Sequence, residues 1–234
     1  MYLKNFYYIF IIANLILLSG CTVVEWGKKT FNQGCKSEIH LSVPRGHMRN
    51  VRVYDEFVTL GIFNAMLISN DVIESYVNLH AEKNEMCEEE RQILLNSEIE
   101  KTEKVISFYL LAYTPRSRSP IYVPNKYETA PWKVYLNVGC EVYEPYKIKI
   151  VELKPEYKLF FGKYLTKFKV VYLLEFLDKD KNGDCLIKED TKAIKLGFTS
   201  FNNKVCLTWK LDKCGKVIYD PNNHYCEYED PIDL

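Results

Sequence analysis

The sequence predicts an α+β protein, with a small helical region followed by a mainly antiparallel, β-sandwich-like domain. Two patterns carry that expectation. Between residues 57 and 79 apolar side chains recur at three- and four-residue spacing, the period of one helix face. From residue 105 onward the pattern changes to short apolar or alternating runs, rich in aromatic and β-branched residues and separated by Pro, Gly and Asn turns. Material for a core is ample. Of 234 residues, 47% are hydrophobic and 26% charged, which excludes wholesale disorder. Lys plus Arg equals Asp plus Glu at 31 each, so no basic excess exists to displace counterions and nucleic acid is not an expected partner.

The first element is a leader over residues 1–20. Lys4 is its single charge, and residues 6–18 are apolar apart from Asn14. That run suits a signal-peptide core and falls short of the roughly 20 apolar residues of a membrane-spanning helix. Ser19 and Gly20 are small, as a signal peptidase requires, and Cys21 follows. Leu18-Ser19-Gly20-Cys21 resembles the lipobox of bacterial lipoproteins, in which the cysteine sulfur takes a diacylglyceryl group before the leader is removed. The resemblance implies lipid attachment at Cys21, with two or three acyl chains holding the protein stably on a lipid bilayer. In enteric lipoproteins an aspartate after the cysteine retains the protein in the inner membrane. Thr22 stands there instead, so the resemblance implies an anchor in the outer membrane of the cell envelope.

Residues 21–52 read as anchor and tether. Apolar clusters are few, Gly27, Gly34, Pro44 and Gly46 interrupt the stretch, and one short strand is expected at 39–43. The helical region is expected over 53–104. Phe57, Leu60, Phe63 and Leu67 would share one face, and Val72, Tyr76 and Leu79 the next. Asn70 or Asp71 would cap the second helix. A further helix over 88–104 begins with three glutamates, which suit the positive end of its dipole. The β domain is expected over 105–234. Its eight strand-like runs are VISFYLLAY, WKVYLNV, YKIKIVEL, YKLFF, FKVVYLLEFL, AIKLGF, KVCLTWKL and KVIYD. A long exposed loop over 114–131 carries Pro115, Pro120, Pro124 and Pro131. From YLLAYTP through WKVYLNVG to LEFLDKD the chain is similar to uncharacterised lipoproteins of Gram-negative bacteria, a resemblance that implies no activity.

The sharpest internal motif is DKDKNGDCLIKE. Asp178, Asp180, Asn182 and Asp184 offer oxygens at alternate positions, Gly183 allows a sharp turn, and Glu189 stands at position twelve, the spacing of an EF-hand calcium loop. Against it, FKVVYLLEFL before the motif reads as a buried strand. Asp190 stands where an exiting helix wants an apolar residue, and no second loop exists to pair with it. A hydrophilic turn between strands is the favoured reading, with a calcium loop of another type left open.

Beyond Cys21 there are seven cysteines, Cys35, Cys87, Cys140, Cys185, Cys206, Cys214 and Cys226, an odd number for an exported chain. Cys206 and Cys214 flank an expected hairpin and form the first disulfide candidate. With His224 and Cys226 they also match zinc by ligand type, although the close C-x-x-C pair that strengthens such a reading is missing. The chain contains no G-x-S-x-G elbow, H-E-x-x-H helix, phosphate-binding glycine loop or dinucleotide fingerprint. His40, His47, His80 and His224 are scattered. The acidic stretch over 74–103 and the Lys-rich stretch over 147–169 read as solvated faces. The expected function is therefore that of a membrane-anchored envelope lipoprotein acting as a non-enzymatic interaction or structural module with an envelope protein partner. The alternative is a calcium- or small-ligand-binding lipoprotein using the 178–189 loop.

Overall fold

A computed structural model describes residues 41–115, 117–123 and 130–218. The leader, Cys21, Cys35, His40, His224 and Cys226 lie outside the described residues. Residues 41–46 form a helical turn. Strands β1 (Met48–Asp55) and β2 (Val58–Leu67) follow, then helices α1 (Asn70–Lys83) and α2 (Glu88–Glu100), and strand β3 (Val105–Tyr113). Strands β4 (Lys133–Val138), β5 (Glu141–Tyr143) and β6 (Lys147–Ile150) lead to helix α3 (Pro155–Phe161) and a 3-10 turn (Gly162–Tyr164). Strands β7 (Val170–Leu177), β8 (Ala193–Thr199) and β9 (Lys204–Lys210) complete the described fold.

The strands form two antiparallel sheets, in the orders β1-β2-β3-β7-β6 and β5-β4-β8-β9. Between them lies the main core, where Phe63, Phe108, Leu110 and Phe176 of the larger sheet face Leu196, Phe198, Leu207 and Trp209 of the smaller. The other face of the larger sheet is also covered. Met48, Met66 and Leu111 pack against Ile73, Tyr76 and Val77 of α1 and against Tyr157, Phe160 and Phe161 of α3. The fold is thus a β-sandwich with a helical layer on its larger sheet. Burial on both faces makes β3 and β7 continuous apolar runs rather than alternating ones.

Two contacts fix how the sheets lie on each other. Phe63 stacks on Phe198 with ring centroids 4.3 Å apart, and Phe108 meets Trp209 at 5.1 Å. Phe63 pairs with Ala112, four residues beyond Phe108 on β3. Trp209 pairs with Ile194, four residues before Phe198 on β8. The same step of about 13 Å in the same direction in both sheets is an aligned sandwich. One end therefore carries the β1–β2 hairpin, the β3–β4 connection, the chain entering β7 and the β8–β9 hairpin. Residues 41–47 enter at the opposite end, beside the last residues of β9.

The helices over 70–83 and 88–100 and six of the eight expected strands occur where the sequence places them. The stretch 57–67 does not. It is strand β2, paired along its length with β1 and β3. Phe63, Ala65 and Leu67 point into the sandwich while Met66 faces the helices, so the alternation of a half-exposed strand never shows and Leu60, Phe63 and Leu67 mimic a helix face. Residues 41–52 of the expected tether belong to the fold as well. Residues 41–46 are helical rather than extended, and β1 buries Met48, Val51 and Val53. YKLFF is helix α3, opened by Pro155 in the first turn, where its missing N–H costs nothing. The cap of α1 is Ser69, whose Oγ accepts the Val72 N–H at 3.4 Å, rather than Asn70 or Asp71. In the 114–131 segment Ile121 is fully buried and bridges Trp132, which brings this stretch back to the core. Of the last expected strand, residues 216–218 are described, and Val217 bridges Leu211.

Candidate functional site

Three phenylalanines share the end of the sandwich that lies away from the chain entry. Phe57 and Phe201 are fully exposed and Phe168 is 68% exposed. Asp55 pairs with Val58, so Glu56 and Phe57 form a two-residue turn, with Glu56 at a positive φ of 49°. A side chain at such a tip reaches neither face of the sheet. Phe201 lies in the β8–β9 turn, closed by the Ser200 N–H donating to the Asn203 carbonyl at 2.8 Å. Phe168 stands just before β7, whose Val170 pairs with Ala112. Burying one phenylalanine is worth roughly 1.5–3 kcal/mol, so these three leave that stabilisation unrealised at one end of the sandwich.

A second feature is a cavity of about 450 Å³ between the β1–β2 pair and the end of α3. Met48, Phe160 and Phe161 are its buried apolar part, and Arg45 and Lys163 are its exposed edge. Arg49 is buried in its wall. The guanidinium is held by the Thr208 carbonyl at 2.9 Å and the Gly46 and Met48 carbonyls at 2.8 Å, and lies 5.9 Å from the Trp209 ring centre. Asn64, also in the lining, accepts from Lys169 Nζ at 2.7 Å, and Lys169 donates to the Tyr164 carbonyl at the same distance. Burial lowers the Lys169 pKa, and nearby Arg52 lowers it further.

A smaller cavity of about 310 Å³ is lined by Ser42, Val43, Gly46, His47, Asp71 and Val217. His47 is 5% exposed, and its Nδ1 lies 2.9 Å from the Val43 carbonyl. A carbonyl can only accept, so Nδ1 carries the proton and Nε2 is a buried acceptor with no partner among the described residues. Ser, His and Asp meet in this cavity without the relay of a catalytic triad, because a backbone carbonyl takes the ring N–H that a triad aspartate would take. Burial lowers the His47 pKa from 6.5, offset in part by the Val43 hydrogen bond and by Asp71. A pKa lower in the folded state stabilises the fold fully above the unfolded value and loses that contribution as pH falls towards the folded one. Urea midpoints measured between about pH 7.5 and pH 5 should therefore fall for the wild type and fall less steeply for His47→Gln. Equal slopes would contradict a neutral, buried His47.

The 178–189 motif is a turn between β7 and β8. The preceding residues are strand, not the entering helix of an EF-hand. Asp180 Oδ1 accepts the N–H of Asn182 at 2.8 Å and of Asp184 at 2.9 Å, and those backbone bonds hold its carboxyl below the usual range. Gly183 takes a φ of +88°, which the turn needs and few other residues adopt. Asp178 is tied by its backbone to Lys104 and Leu186, and Glu189 lies in a separate turn closed between Lys188 and Thr191. Asp180, Asn182 and Asp184 are thus brought together, and Asp178 and Glu189 are not joined to them by any of these bonds. Among the described residues no three His, Cys, Asp or Glu side chains gather as a metal site.

The Cys206–Cys214 bridge does not form. Cys214 is a free, exposed thiol at the turn beyond β9, whereas Cys206 is buried within that strand. The hairpin continues outward from Lys210, as the Leu211–Val217 bridge shows, and carries Cys214 away from Cys206. Four strand residues already span about 13 Å, beyond disulfide reach. Cys87, Cys140 and Cys185 are also free and exposed. The acidic and Lys-rich stretches partly pair with each other, through Lys154 with Glu98 at 3.3 Å and Lys83 with Glu156 at 3.6 Å. Arg49, Asn64 and Lys163 carried no signal in the sequence, because their meeting depends on α3 folding over β1 and β2.

No described helix is long and apolar enough to cross a membrane. No family model, curated protein or solved structure matches the chain.

Proposed function

We propose that this chain is a membrane-anchored envelope lipoprotein whose β-sandwich serves as a non-enzymatic protein-interaction module. Cys21 carries the lipid, and the partner is an envelope protein with an apolar surface. The observation behind this reading is the grouping of Phe57, Phe168 and Phe201 at one end of the sandwich, with residue 41 entering at the other. A domain held from one end presents its opposite end to whatever lies within reach of the tether. Confinement at the membrane raises its effective concentration there, so modest contacts suffice.

Photo-crosslinking tests this directly. A benzophenone amino acid at position 57 or 201 should give the same discrete adduct in native membranes. At Val142, which is exposed beside the β4–β5 turn at the opposite end, it should give none. The double variant Phe57→Ser, Phe201→Ser should keep its melting temperature and lose the partner. Equal crosslinking from position 142, or an adduct from position 168 that survives the double variant unchanged, would contradict the reading.

A further inference from the structure

We propose that the cavity between β1, β2 and α3 is a binding site for a small organic anion, a phosphate or carboxylate head on an apolar body about the size of one ring. The proposal is independent of the interaction surface. It rests on the composition of the lining. Arg45, Arg49 and Lys163 all border the cavity, and among the described residues no Asp or Glu does. No described carboxylate forms an ion pair with Arg45, Lys163 or Lys169. Ion pairing elsewhere in the helical layer makes that unusual, since Lys83, Lys101, Lys154 and Lys158 each have an acidic neighbour. A recess lined by one sign of charge, with low-dielectric walls, focuses its field and concentrates counter-ions of opposite sign.

Geometry adds selectivity to the charge. Arg49 is fixed by three carbonyls from two parts of the chain, so its positive charge is held in place in the cavity wall while Arg45 and Lys163 stand at the edge. The Asn64 oxygen accepts from Lys169, which orients that side chain and leaves its N–H donors to offer. Donors and cations therefore converge on the cavity without a described carboxylate among them. The buried Met48, Phe160 and Phe161 supply an apolar surface beside them, which a bare inorganic anion would leave wet. A volume of about 450 Å³ lies within the range of small-molecule sites.

The test is calorimetric titration of the purified full chain with phenyl phosphate, inorganic phosphate and phenol, repeated on Arg45→Gln with Lys163→Gln. Both substituted residues are exposed, so the variant keeps the fold. Phenyl phosphate should bind saturably with one site, more tightly than either fragment, and the double variant should weaken it at least about tenfold. Raising the salt concentration should weaken the wild type more than the variant. No saturation by about 10 mM phenyl phosphate would overturn the proposal. Phenol binding equally well would show that charge plays no part. Inorganic phosphate binding equally well would remove the apolar component, and an unchanged affinity in the double variant would place the ligand elsewhere. Each of those results defeats the proposal.

Discussion

Trp209→Ala should destabilise the fold by about 4 kcal/mol, read as the change in unfolding free energy from urea titration. Trp209 is completely buried, packs on Phe108 at 5.1 Å and lies under the Arg49 guanidinium. Its Nε1 donates to the His47 carbonyl at 2.7 Å, which ties β9 to the segment entering β1. Alanine leaves a large cavity between the sheets and leaves that carbonyl only the longer bond from the Leu67 N–H at 3.3 Å, two costs that act together. Trp209→Phe keeps most of the packing and removes only the donor, so it should cost about 1–2 kcal/mol. Arg49 loses its ring partner in the alanine variant alone, so the 450 Å³ cavity should respond there as well. A cost below about 1 kcal/mol for Trp209→Ala would mean that the sheets do not meet at this residue.

Gly197→Val should cost about 2–3 kcal/mol, by overpacking rather than by loss. Gly197 lies in β8 directly opposite Tyr135 of β4. A Cβ at position 197 would sit 2.2 Å from two atoms of the Tyr135 ring, far inside contact distance. The phenol lies over the glycine, as aromatic residues do over strand glycines that offer no side chain of their own. Valine has the better strand propensity, so a purely local view predicts stabilisation. The two views separate in a double-mutant cycle. In a Tyr135→Ala background the valine should cost less than about 1 kcal/mol, giving a coupling of about 1–2 kcal/mol. An additive result would contradict the clash.

What the sequence revealed and what it hid follow from the same layering. Runs such as VISFYLLAY and FKVVYLLEFL announce strands covered on both sides, and the structure has them as β3 and β7. The turn chemistry of Asp180, Asn182 and Gly183 is local, so a hydrophilic turn was readable from residue types alone. Strand β2 lies under the same helical layer, but its small and polar positions, Gly61, Asn64 and Ala65, break the run and leave a spacing that looks helical. Strand β1 hides among Arg49, Asn50 and Arg52, polar residues that leave no apolar cluster and so read as tether, although Val51 and Val53 point into the core. Helix α3 is only seven residues long, too short for a period to show. The cavity falls between these misread elements. Its residues are separated by more than a hundred positions in the chain, and no local pattern could join Arg49 to Lys163.

The most direct test of a tethered module is where the Cys21→Ala variant fractionates. Expressed with its leader, the wild type should sediment with membranes and yield a mature amino-terminal peptide that begins at Cys21 and carries the mass of attached lipid. The alanine variant should appear in the soluble fraction, with the same melting temperature for the sandwich and with the crosslinked adduct from position 201 greatly reduced. Retention of Cys21→Ala in the membrane fraction, or a wild-type amino-terminal peptide without lipid, would contradict the anchor and with it the proposal of a module held at the envelope.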